Sequence, residues 1–251
     1  DVLSTATYRD DLPEVQCITS NGGIIFYGVG AGEWVRDSQG EYYRQNDYSE
    51  SGYYFIGVSD NISARTIEPV EAAPGNISTA TTFTERVQHE LEQVTSPGEA
   101  GPVLLGEEFR YTNSRTFALR APGAVSGDAR IICSFVSNLS GNGGQLRFTV
   151  DGDALDAVSA DRIPAKSNSS YIHGVHTRTA HTFEWSPGTS GNCTIGIQFT
   201  ANGACLGAWL NYLTLNYTRS LAIPAEGYLT FYTSQRGVSI SGAAEGARLW
   251  D

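Results

Sequence analysis

Leu206-Gly-Ala-Trp-Leu-Asn-Tyr-Leu-Thr-Leu-Asn-Tyr217 is the stretch on which the fold turns. Its twelve residues include one Trp, two Tyr and four Leu, with no charge and no Pro. Aromatic and branched side chains suit a pleated surface, so the stretch reads as a long strand. Strict alternation puts Ala208, Leu210 and Tyr212 on one face and Trp209, Leu213, Leu215 and Tyr217 on the other. Both faces are apolar. Such a strand belongs in the middle of a sheet beneath a second layer. A buried helix is the competing reading of any apolar run, and the aromatic residues and Gly207 speak against it.

Working outward, the same grammar repeats. Segments 115–120, 129–137, 145–150, 171–177, 179–185, 193–199, 228–233 and 238–241 read as short strands separated by Gly, Pro, Asn and Asp, the pattern of a β-sandwich. A further strand is expected from Thr79 to about His89, followed by a loop through Ser96-Pro97-Gly98. Toward the N-terminus, residues 22–28 give a strand. Glu33-Trp-Val-Arg36 and Glu41-Tyr-Tyr-Arg44 flank Asp37-Ser-Gln-Gly40, a hairpin signal, and residues 52–59 read as another apolar strand. Composition changes at Glu68-Pro-Val-Glu-Ala-Ala-Pro-Gly75. The expected architecture is all-β: a small β meander over 1–67, a linker over 68–78, and a larger, jelly-roll-like β-sandwich over 79–251. No helix of three turns is expected.

Composition narrows the function classes. The chain has 251 residues, 28 of them Gly and 13 Tyr, with 17% charged and a formal charge of -11. A phosphate backbone calls for a basic stripe, and none is present, so nucleic acid is not an expected partner. No apolar run reaches the length of a membrane-spanning helix. The opening Asp1-Val-Leu-Ser-Thr has neither basic start nor apolar core, so the chain reads as mature or as a cut-out piece. Six N-x-S/T triplets begin at Asn61, Asn76, Asn138, Asn168, Asn192 and Asn216, and in a Ser/Thr-rich chain we treat them as chance.

The residues that could carry chemistry each have a plainer reading. Cys193 and Cys205 sit on what look like successive strands. They could form a disulfide, but buried thiols acting as small hydrophobes are preferred. Cys133 alternates inward with Ile131 and Phe135 as core, and Cys17 stays undecided. His173, His176 and His181 could suggest zinc, yet alternation sends His173 and His176 to opposite faces, so polar hairpin side chains are expected. Asp151-Gly-Asp153 with Asp156 is a tight turn before it is a calcium loop. No G-x-S-x-G or H-E-x-x-H occurs. Glu107 and Glu108 are adjacent and do not form a glycosidase pair. No cofactor and no metal site is expected.

Several blocks, in order, carry a resemblance. Ile25-Phe-Tyr-Gly28, Trp34, Arg44-Gln-Asn-Asp-Tyr-Ser49 and Gly52-Tyr-Tyr-Phe-Ile56 lead. His89-Glu-Leu-Glu92 and Leu105-Gly-Glu-Glu-Phe109 follow, and the series closes with Ala208-Trp-Leu-Asn-Tyr-Leu-Thr-Leu-Asn-Tyr-Thr-Arg-Ser-Leu221, Leu229-Thr-Phe231 and Leu249-Trp-Asp251. The order resembles the N-terminal region of PorU-like type IX secretion sortases, relatives of the gingipain-type cysteine peptidases. Asn211 stands where that pattern usually has Asp, and Arg219 matches its Arg, which could anchor the strand by ion pairing. In that family the peptidase His and Cys lie in a caspase-like domain beyond the closing Trp-Asp, so no residue here takes a catalytic role.

The resemblance implies a non-catalytic docking or scaffolding front. Its partners would be a downstream peptidase domain and other outer-membrane secretion subunits or cargo. Its place would be the extracellular side of a bacterial outer membrane, at the cell surface, and its parent would process C-terminal sorting signals. The alternative is a carbohydrate-binding jelly roll or surface adhesin. Its candidate ligand-binding residues are Trp34, Tyr171 and Trp185, with Tyr42 and Tyr43 also considered, since aromatic faces stack on sugar rings.

Overall fold

The computed structural model describes residues 13–20, 22–46, 48–58, 60, 65–68, 70, 77–91, 104–140, 142–162 and 174–250. These contain strands and turns and no helix. By internal contacts the chain falls into two units: residues 1–35 with 43–76, and residues 36–42 with 77–251.

In the smaller unit, β1 (Cys17–Ser20) and β2 (Gly23–Phe26) form an antiparallel hairpin. The expected hairpin at 33–44 is present as β3 (Glu33–Asp37) and β4 (Gly40–Arg44). Its stem carries Trp34 edge-on to Tyr43 at 5.5 Å and a Glu33–Arg44 ion pair. Its tip, 36–42, belongs to the larger unit. Residues 51–58 do not form the expected strand, and Tyr53, Phe55, Ile56 and Val58 stand in solvent. The stretch is tied back mainly through Tyr54, whose hydroxyl donates to Val29 O at 3.0 Å and whose ring meets Phe26. Apolar content there supplied the strand signal, but among the described residues no neighbouring strand is set in register to complete it.

The larger unit contributes β5 (Thr79–Ala80), β6 (Thr82–Glu90), β7 (Ser114–Arg120), β8 (Ala124–Leu139), β9 (Gly144–Val150), β10 (Asp153–Ala154), β11 (Val158–Ala160), β12 (Val175–Trp185), β13 (Asn192–Ala201), β14 (Cys205–Ser220) and β15 (Gly237–Val238). One sheet runs β12-β8-β14-β6 and the other β10-β9-β13-β7, with β11 also on β9, all antiparallel. Between them lies one core. Phe135 anchors it, with Phe109 and Phe199 at 5.3 and 5.2 Å. The five-stranded sheet obeys period-2 patterning: Cys193, Ile195, Ile197 and Phe199 of β13 point inward while intervening residues do not. The sequence pattern placed two strands at 171–177 and 179–185. Residues 175–185 are instead one unbroken strand against β8, and 171–173 lie outside the described residues. Segment 228–233 forms no strand either, although Phe231 packs on Phe83.

The strand that organised the sequence reading is β14, the central strand beside β8, and it departs from simple alternation. Leu210 pairs with Phe135 and Tyr212 with Ser134, so Asn211 is an extra residue, a β-bulge. The bulge reverses parity. Ala208 and Leu210 before it, and Leu213, Leu215 and Tyr217 after it, all enter the core. Trp209, Tyr212, Thr214 and Asn216 fall on the opposite face, so the even-odd assignment from sequence is corrected from residue 212 onward. Tyr212 to Tyr217 are all buried because that second face is covered as well.

Candidate functional site

The tip of the β3–β4 hairpin covers it. Gly40 sits at φ 129°, in the region that glycine alone enters freely, and a Cβ there would lie 2.7 Å from Asn216 Oδ1 and 2.9 Å from Ile132 Cδ1. That close approach lets Asn216 act like a strand neighbour. It accepts from Glu41 N and donates through Nδ2 to Glu41 O, both at 2.8 Å. The Glu41 carboxylate, itself buried, holds Arg36 and Arg86. Tyr42 stacks on Tyr212 at 5.5 Å with the rings 3° from parallel. Arg178 donates to Tyr212 Oη at 2.9 Å and to Asp37 at 2.6 Å, and its guanidinium lies over the Tyr42 ring.

The electrostatics follow from this packing. Burial pushes the Tyr212 phenol up to about 12. The Arg178 hydrogen bond holds Asp37 below the usual carboxylate range. Burial works against the Arg178 charge, but Asp37 and Tyr212 together more than offset it and the group is raised. Partial burial and then the Arg178 cation lower the His176 imidazole. His176 in turn contacts Ser134 Oγ, which also accepts from Asn211 Nδ2 at 3.1 Å. Ser134 is fully buried in a strand centre, so its hydroxyl is not presented to a substrate, although His176 itself is exposed.

Among the described residues, two of the open clefts lie in the larger unit. One, of about 770 Å³, is bounded by the hairpin tip, residues 78–84, Arg130 and residues 232–235. Its Arg36 guanidinium sits over the Tyr232 ring at 4.3 Å. The other, of about 520 Å³, runs along residues 114–119 and is faced by His89, Glu107 and Thr112. His89 Nε2 lies 2.7 Å from Glu107 Oε1, while no described protein group donates to the buried Glu107 Oε2. The His-Glu and Gly-Glu blocks singled out in the sequence thus meet in space.

The residues chosen from sequence fall apart rather than together. Trp34 is half-buried on the stem of the hairpin, in the smaller unit. Trp185 is 5% exposed; its ring meets Tyr217 edge-on at 6.2 Å and its indole N–H donates to Asp151 Oδ2 at 2.8 Å. Tyr171 and His173 lie outside the described residues. Asp151 and Gly152, at φ 50° and 101°, make the tight turn between β9 and β10. His176 and His181 project to opposite faces of β12, the latter beside Phe148 at 4.9 Å. Among the described residues no group of three His, Cys, Asp or Glu is placed to hold a metal. All four cysteines are free. Burial pushes the Cys133 thiol far up and the Cys193 thiol up to about 12, the reverse of an activated nucleophile. Arg219 pairs with Glu85 at 2.7 Å, the strand anchor its position suggested. The Glu41 cluster was missed. Its only sequence signal was a hairpin tip richer in charge and aromatic residues than a solvent-exposed turn needs.

Fold and site together define an antiparallel β-sandwich without evident catalytic apparatus among the described residues. That architecture is also found in the crystal structure of dimeric latent PorU from Porphyromonas gingivalis. The TM-score is 0.69 at 22% identity, over 85% of this chain and 20% of that one. This chain therefore spans about a fifth of that protein's length, and the likeness establishes the fold. A family 35 carbohydrate-binding module from Clostridium thermocellum (TM-score 0.30, 13% identity, 53% of this chain and 90% of that one) overlaps far more loosely. So does the C-terminal CBM6 of LamC from Zobellia galactanivorans (0.29, 13%, 52% and 98%). Neither bears on the fold or the function. No protein-family model matches the chain, and no curated protein does. No described helix is long and apolar enough to cross a membrane.

Proposed function

We propose that this chain is a non-catalytic docking and scaffolding region, the front part of a larger cell-surface protein of the PorU-like, gingipain-related type. In such a parent, processing of C-terminal sorting signals on secreted cargo would fall to a downstream peptidase domain. Besides the PorU-like fold, one observation supports the reading: the apolar surface of the smaller unit. Tyr27, Val29, Tyr48, Tyr53, Phe55, Ile56 and Val58 are 62–99% exposed, with Tyr54 among them at 39%. Scattered exposed apolar residues are ordinary, but seven large ones within 32 positions of sequence support a surface for another protein to cover. The buried, high-pKa thiols Cys133 and Cys193 fit a region that leaves the chemistry elsewhere.

Two measurements test this. A Tyr53→Ser/Phe55→Ser double variant should keep the melting curve of the sandwich and lose co-purification with the rest of the parent supplied as a separate chain. Retained co-purification removes the docking role. Peptide turnover by the isolated chain that disappears with Cys133→Ala or Cys193→Ala removes the non-catalytic one.

A further inference from the structure

The edge of the five-stranded sheet offers a more specific site. Edge strands expose a row of backbone N–H and C=O groups and are normally shortened, interrupted or covered. One edge of this sheet is protected in that way, by β10 and β11, which are two and three residues long. The other edge is β7, seven residues without Gly or Pro, paired only with β13 among the described residues. Beside β7 lies the 520 Å³ groove. Six successive residues, 114–119, line it, so its wall is backbone as much as side chain. β12 and β6 are the edges of the other sheet; β12 lends the 770 Å³ cleft only Thr182, and β6 lends it only residues 82–84.

The opposite wall sets the chemistry. His89 is fixed there by Glu107 Oε1 and by contact with the Phe117 ring at 5.0 Å. Glu107 Oε2 receives no hydrogen bond from the described protein. Arg115 is the only Lys or Arg on the described lining, and its Nε already donates to Glu108 O at 3.0 Å. A carboxylate short of one donor, beside a strand short of one partner, suits an extended segment with a cationic side chain.

We propose that the β7 groove binds an extended peptide as an added strand, with a Lys or Arg of that peptide paired to Glu107. The added strand's alternate amides complete the open side of β7, and its cation supplies the donor that Glu107 Oε2 lacks. This names a partner class for the docking role and rests on that reading, yet it uses the larger unit and not the exposed surface of the smaller one.

The probe is a set of synthetic nonapeptides of alternating Thr and Val, with a central Lys, Arg, Gln or Glu, titrated against the full chain by fluorescence anisotropy. Lys- or Arg-centred peptides should bind at least tenfold tighter than the Glu-centred one. N-methylation of one alternate set of amides should weaken binding at least tenfold, and methylation of the other set should leave it unchanged. Glu107→Gln should erase the preference for a cation, and Ala118→Trp, on the exposed side of β7, should block binding while the melting curve is kept. Asp153→Asn, at the far edge of the same sheet, should change nothing. No saturable binding, indifference to the methylation pattern, or a cation preference that survives Glu107→Gln would each overturn the proposal. A chain that still co-purifies with its parent in those cases leaves the docking reading standing.

Discussion

The indole N–H of Trp185 donates to Asp151 at 2.8 Å, joining the last residue of β12 in one sheet to the β9–β10 turn of the other. The second carboxylate oxygen of Asp151 accepts from Thr194 N at 2.8 Å. Asp151 does this at φ 50°, a conformation that Asp and Asn tolerate better than other side chains. Asp151→Ala leaves the buried indole donor unpaired and puts Ala in the left-handed region. We expect a loss of about 2–5 kcal/mol in denaturant unfolding, from an orphaned donor at about 1–3 and backbone strain at about 1–2 kcal/mol. Asp151→Asn keeps the backbone preference but only one acceptor oxygen for the two donors, and should lose less than Asp151→Ala. Equal losses for the two variants would mean that the second carboxylate oxygen, and not the backbone conformation of the turn, sets the stability.

Asn216 holds the backbone of Glu41 from both sides, donating to its carbonyl and accepting from its amide. Asn216→Asp keeps the acceptor and removes the donor, stranding Glu41 O and adding a carboxylate near the buried Glu41. We expect a loss of about 2–3 kcal/mol, read as a shifted unfolding midpoint with an unchanged denaturant slope. The same burial makes the triplet at 216 a poor glycan acceptor: expressed in a glycosylating host, the folded chain should carry no sugar on Asn216. Occupancy there would contradict the packing.

Much of this fold could be read from residues alone, because β7, β9 and β13 alternate strictly and a one-sided sheet face writes period 2 into its sequence. The two-sided burial of β14 was also visible, as apolar residues on both faces. Two things were not. The bulge at Asn211 leaves no mark in composition, and one extra residue swaps the faces of everything after it. The cover over the second face came from Arg36–Tyr42, some 175 residues away along the chain; spacing arguments do not reach such contacts. Trp185 shows the same limit, since an aromatic residue at a strand end reads alike whether it meets a sugar or, as here, a core.

Tyr212 should govern the alkaline limb of stability. Burial raises its phenol to about 12, whereas the unfolded chain titrates near 10. A raised folded-state value means that the contribution is intact below pH ~10 and is lost as pH climbs toward ~12. Two units correspond to about 2–3 kcal/mol. Tyr217, raised further by burial, adds to the same limb. In spectrophotometric titration, both phenols should ionise well above the ordinary tyrosine range near 10. Tyr212→Phe should flatten the fall between pH 10 and 12, and an unaltered alkaline limb in that variant would show that Tyr212 is not sealed by Tyr42.

The four thiols should separate by reactivity with an aromatic disulfide reagent at pH 8. Only thiolate attacks, and burial holds Cys193 near 12 and Cys133 higher still. Both sit in the core cluster between the sheets. Cys17 and Cys205 are half-buried. Burial also raises Cys205, though its hydrogen bond with Gly207 O works the other way. We expect Cys17 and Cys205 to label in the native state and Cys133 and Cys193 only as fast as the sandwich opens, so that their labelling rate follows denaturant as global unfolding does. Rapid labelling of Cys193 without unfolding would place its thiol at an accessible surface and reopen the question of a nucleophile in this chain.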